Sequence, residues 1–92
     1  MTPFALGIAA GLTMLQASIA APRQNFSDCL NRAASQAASQ QIAPDQFNAF
    51  ASQQCAAQGA SFKAALVAFD VKNGVKRAQA AADAQLQVED YL

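Results

Sequence analysis

Cys29 and Cys55 are the only cysteines among ninety-two residues, and they are the pair whose side chains could do covalent chemistry with each other. Two thiols can serve redox catalysis, hold a metal, or form a structural disulfide. Redox catalysis calls for Cys-x-x-Cys, in which close thiols tune one another, whereas these stand 26 positions apart. Zinc and haem sites draw on histidine or on further cysteines, and the chain has no histidine at all. The reading left is a structural disulfide, which belongs to an oxidising compartment.

Other chemistry is as thinly supplied. Without histidine the commonest general base is missing, and a histidine-based serine triad with it. Glu89 and Asp90 are sequence neighbours and so point to different parts of a helix surface. Asp70-Val71-Lys72-Asn73-Gly74 has the outline of a calcium loop, but Lys72 occupies the third position, where an oxygen ligand is required. No catalytic residue, cofactor or metal is therefore expected, and the chain is read as non-enzymatic. Six basic residues (Arg23, Arg32, Lys63, Lys72, Lys76, Arg77) balance six acidic ones (Asp28, Asp45, Asp70, Asp83, Glu89, Asp90). Nucleic-acid binding rests on several lysine and arginine contacts to phosphate, and a neutral chain offers no such footprint. Lys72, Lys76 and Arg77 make a small basic cluster, read as a solvated face that could touch an anionic envelope surface.

The elements that would bring the two sulfurs together can be placed from the pattern between them. Both cysteines lie thirteen positions from Ile42. The stretch Gln41-Ile42-Ala43-Pro44 should end one helix and start another, because Pro44 disfavours helical geometry at Ala43 and suits the first position of a new helix. Two helices, over 26–41 and 44–58, would fold into an antiparallel hairpin closed at its open end by Cys29–Cys55. In the first, with Asn25 or Ser27 as cap, Phe26, Cys29, Leu30, Ala33 and Ala37 fall on one arc at about 100° per residue. The second carries Phe47, Phe50, Ala51 and Cys55 toward one side, and Gly59 is expected to end it.

Ser61 then caps a third helix, expected over 61–90. Its start is apolar on two faces, with Phe62, Ala65, Leu66 and Phe69 on one and Ala64, Val67, Ala68 and Val71 on the other. The second face keeps its phase across Asn73-Gly74, which favours one long helix weakened there over two helices. A helix buried on one side needs only one stripe, so the double face has two readings. Either the helix packs into the groove of the hairpin and wraps both its helices, or the stripe of Val67, Val71, Val75, Ala78, Ala82 and Leu86 is the candidate interaction surface for another molecule. The end, Glu89-Asp90-Tyr91-Leu92, puts acid where the helix macrodipole disfavours it and should fray.

Residues 1–20 begin with an apolar run and end in the small residues Ser18-Ile19-Ala20, which reads as a signal peptide cut after Ala20. An uncleaved membrane anchor is the alternative, the run being close to the roughly 20 residues a span needs. The remainder, residues 21–92, is one small domain. It holds nineteen alanines against fifteen larger hydrophobic residues, so its core is small and a covalent staple is in keeping.

The succession Pro44-Asp45-x-Phe47, Cys55, Ala68-Phe69-Asp70-Val71-Lys72-Asn73-Gly74 and Asp90-Tyr91 resembles uncharacterised small exported, periplasmic helical proteins of Gram-negative bacteria. The resemblance implies an envelope location and no activity. The expectation is thus an all-α protein: a disulfide-stapled antiparallel helical hairpin followed by a long third helix, preceded by a signal peptide. It would be periplasmic or secreted, touching the membrane only through its cleavable amino-terminal segment. Its expected role is to contact an unknown protein partner or a second copy of itself, as an interaction or structural module of the cell envelope. The alternative role is a periplasmic stress holdase that exposes apolar surface when conditions change.

Overall fold

The protein is described by a computed structural model, which gives the backbone of residues 3–92 and the side chains of residues 18–92. Among these residues it is all-helical: α1 (Pro3–Ser39), a 3-10 turn (Pro44–Gln46), α2 (Phe47–Gln54), α3 (Ala56–Lys72) and α4 (Arg77–Tyr91). Helix α1 packs on α2 and α3, and α4 packs on α3.

The stripe expected on α1 is the one that is buried. Phe26, Cys29, Ala33 and Ala37 are inaccessible and Leu30 is half-buried, while Arg32, Ser35, Gln36 and Ser39 face solvent. The helix starts far earlier than position 26, however. Asn25 and Ser27 lie in its interior and cap nothing, because the alanine-rich segment before them continues the helical run; Gln24 Nε2 donates to Asp28 Oδ1 at 2.8 Å across one turn. Most of the signal peptide expected over 1–20 falls on residues 1–17, outside the described side chains. Ser18, Ile19 and Ala20 belong to α1, and Ile19 rests against the core.

Helix α1 ends at a corner rather than at a cap. Gln41 takes a left-handed conformation, φ 57°, and Ile42 N–H donates to the Ala37 carbonyl at 2.9 Å while Gln41 N–H donates to Ala38 at 3.3 Å. These two bonds satisfy carbonyls that the helix end would otherwise leave open. Ala43 is extended and Pro44 opens the next turn, as its fixed φ favours.

Three helix boundaries differ from the sequence expectation. The second helix stops at Gln54, not at residue 58, because Cys55 leaves helical geometry with φ −113° and ψ 24°. Gly59 ends nothing; it sits buried inside α3, where a Cβ would come 3.3 Å from Cε1 of Phe26. The glycine serves close approach between helices, not termination, and Ser61 caps no helix. The long third helix is two. After Lys72 the chain turns through Gly74, φ 93°, with Val75 N–H donating to the Asp70 carbonyl at 2.9 Å and Gly74 N–H to Val71 at 3.1 Å. Continuous phase of an apolar stripe did not outweigh a residue free to adopt left-handed geometry, and α4 folds back on α3.

The core is built on rings and alanines. Phe26 and Phe62 are fully enclosed, worth about 1.5–3 kcal/mol each in apolar burial. Their centroids are 5.9 Å apart, and Tyr91 completes a cluster at 5.8 Å from Phe26 and 5.3 Å from Phe62. The guanidinium of Arg23 lies 5.6 Å from the Phe62 ring centroid. Tyr91, itself exposed, also explains why the acid-rich end stays helical to its last turn: its ring contacts with Phe26 and Phe62 oppose the fraying that Glu89 and Asp90 favour. Ala51, Ala80 and Ala84 are inaccessible, small enough for their helices to pack closely.

Candidate functional site

The disulfide joins Cys29 to Cys55 with 5.9 Å between α-carbons, and both residues are buried. It does not tie two helix bodies together. One sulfur is on α1, while the other sits at the joint between α2 and α3, so the bridge fixes the bend of that joint against α1. Sγ of Cys29 lies 3.8 Å from the Gln54 carbonyl oxygen. A bridge between two buried cysteines is structural.

The six residues of the expected stripe do not form one line. Val67 and Val71 are half-buried on α3, Val75 is half-buried in the corner, and Ala78, Ala82 and Leu86 are exposed on α4, on the side away from the buried Ala80 and Ala84. Leu86 is 59% exposed, the most open large aliphatic side chain among the described residues. The fold-back at Gly74 parts the two halves.

The α3 half belongs to a groove. Ala60, Ala64, Val67, Ala68 and Val71 line a concave, mostly apolar surface of about 550 Å³, bordered by Lys63, Lys72 and Arg77. Two turns of one helix explain the alignment: Ala60, Ala64 and Ala68 are spaced by four, and Val67 and Val71 by four beside them. The opposite side of α3 carries Gly59, Phe62 and Leu66 into the core. Of the two faces named in the sequence, the first meets the core, and the second is mixed: Ala64 and Ala68 are exposed, whereas Val67 and Val71 are half-buried and Val67 packs against the core.

All three charged residues along the groove are basic. Lys63 Nζ donates to Gln85 Oε1 on α4 at 3.0 Å. Among the described residues, Lys72 and Arg77 have no carboxylate within ion-pair distance. The basic cluster of the sequence is rearranged by the corner: Lys72 closes α3, Lys76 is the extended residue before α4, and Arg77 is its first residue. Lys72 and Lys76 are not one helical turn apart, as a continuous helix would have had them. Sequence reasoning missed Lys63 and Ala60 as members of this surface. The signal was present in the four-residue spacing of Ala60, Ala64 and Ala68, which extends the face one turn before Ala64. A smaller cleft of about 290 Å³ near the disulfide is lined by Cys55, Gly59, Lys63, Gln85, Val88 and Glu89 among others. Among the described residues, no group of three or more Cys, Asp or Glu side chains is arranged to hold a metal ion.

No protein-family model, no curated protein and no solved structure matches this chain.

Proposed function

We propose that this chain is a small exported, non-enzymatic helical protein of the cell envelope that works by contacting another protein. The observation that carries the reading is the state of α3, which buries Phe62 and Leu66 on one side while leaving Ala60, Ala64 and Ala68 exposed on another, in a groove that the half-buried Val67 and Val71 complete. An apolar surface left open in so small a core is a place for a partner, since its burial would add to stability that the fold alone supplies sparingly.

Export is supported by the bridge between Cys29 and Cys55, a bond that reducing compartments do not maintain. Among the described residues no helix is long and apolar enough to cross a membrane. The cut after Ala20 lies two residues before Pro22, inside α1, where proline removes a backbone donor and weakens the helix.

Two measurements test the reading together. Mass spectrometry of the exported protein without reductant should give a mature start at Ala21 and a mass two hydrogens below the dithiol. Affinity capture from envelope extract, with sedimentation equilibrium beside it, should give a partner or a self-associated species that Ala64→Glu abolishes. A monomer with no partner would leave the open face without a role.

A further inference from the structure

We infer that the groove on α3 receives an amphipathic α-helix of another protein whose apolar stripe is flanked by carboxylates. This rests on the reading of the chain as an interaction module and names the chemistry of its partner.

Shape points to a helix. The floor of Ala60, Ala64 and Ala68 has side chains no longer than a methyl group, with Val67 and Val71 raised beside it. Such a row lets a second helix come to the short end of the usual 8–10 Å axial separation, its own ridge seated where side chains are smallest. A bilayer surface is a poorer fit. Segments that lie on lipid use tryptophan, phenylalanine and leucine to reach about 5–10 Å into the acyl boundary, and this face has none of the three.

Charge points to acid. Lys63, Lys72 and Arg77 line the groove and none of the chain's six carboxylates does, although the chain as a whole is neutral. Arg77 is also the first residue of α4, where a cation opposes the positive end of the helix macrodipole. Within the fold that placement is unfavourable; it becomes favourable once carboxylates lie alongside. A second copy meeting this groove face to face would set cation against cation, which disfavours a symmetric pair through it.

The test uses the oxidised full chain and two synthetic 18-residue helical peptides with the same alanine and leucine stripe, one flanked by glutamates and one by lysines. In titration calorimetry at low salt the glutamate peptide should bind on the order of tenfold or more tightly than the lysine peptide, and weaken as salt is raised. Lys72→Glu/Arg77→Glu should invert the preference. Ala64→Trp, a substitution at an exposed position that leaves the core untouched, should abolish binding of both while circular dichroism and Tm stay unchanged. Equal affinity for the two peptides, or none for either, overturns the inference. So does binding to phosphatidylglycerol vesicles that Lys72→Glu/Arg77→Glu removes, which would assign the groove to lipid. A dimer in sedimentation equilibrium that Ala64→Trp dissolves would assign it to a second copy. A photo-crosslinker at position 68 separates the two levels of failure. An adduct with a protein that presents no acidic helix sinks this inference alone, and no adduct with any protein sinks the interaction reading as well.

Discussion

At both corners of the molecule a helix ends through the same pair of hydrogen bonds, once with Gln41 at the left-handed position and once with Gly74. The likeness extends outward. Each left-handed residue is followed by a half-buried β-branched one, Ile42 or Val75, and then by an extended residue, Ala43 (φ −65°, ψ 145°) or Lys76 (φ −63°, ψ 141°), from which the next helix starts. The difference lies in what holds each turn. A non-glycine residue in left-handed geometry costs roughly 1–2 kcal/mol. The first corner carries that cost at Gln41, within the segment that the Cys29–Cys55 bridge closes into a loop, and Pro44 pre-sets the exit. The second has no covalent tie across it and uses glycine. A turn can thus be specified by its own residue or imposed by what is bonded around it.

The largest effect should come from removing the tie. Cys29→Ala/Cys55→Ala is expected to lower stability by about 3.5 kcal/mol in urea unfolding, the chain-entropy value for a loop of this size. Amide exchange should rise first in α1 and α2, with α3 and α4 protected longer; uniform loss of protection would show that the two corners do not act independently. Next in size is Gly74→Ala. Nothing lies within 4 Å of the added Cβ, so the expected loss of about 1 kcal/mol is conformational and not steric. A shift in Tm with no change in sedimentation would support this, and no shift would mean that the corner does not depend on glycine.

Gln41→Gly is the converse substitution and should stabilise by about 0.5 kcal/mol, the relief of left-handed geometry being partly offset by a freer unfolded chain. Performed in the disulfide-free background, the gain tells whether the bridge had been compensating the corner. The smallest effect should come from the other glycine. Gly59→Ala gains up to about 1 kcal/mol in helix propensity but brings a methyl within 3.3 Å of Phe26, whose ring is boxed by Phe62 and Tyr91. We expect the two to nearly cancel, leaving a net loss below about 0.5 kcal/mol in denaturant unfolding, and a clear gain would show that the aromatic cluster yields easily.

Much of α1 was legible because its face is set by local periodicity, so Phe26, Cys29, Ala33 and Ala37 could be placed inside without knowing their neighbours. The two glycines were read the wrong way round for one physical reason. A glycine in a helical sequence serves either termination or close packing, and the sequence window is the same for both. Gly59 is decided by a phenylalanine on another helix, and Gly74 by whether α4 finds a surface on α3 to fold onto. The joint at Cys55 carried no local warning at all, since no glycine or proline stands beside it. In the candidate site, the apolar side of α3 was visible as a second face, but its border was not. Lys63, Lys72 and Arg77 come to one groove only because the chain reverses between them.

The sequence by itself determined the pairing of the sulfurs, the helical class and the buried stripe of α1, since a lone cysteine pair has one possible partner each and periodicity is a property of neighbours along the chain. Tertiary structure decided where α2 and α3 part, that α3 and α4 are separate helices, and which cations share a groove. Those outcomes depend on contacts between residues far apart in sequence, whose energies exist only once the chain has folded back on itself.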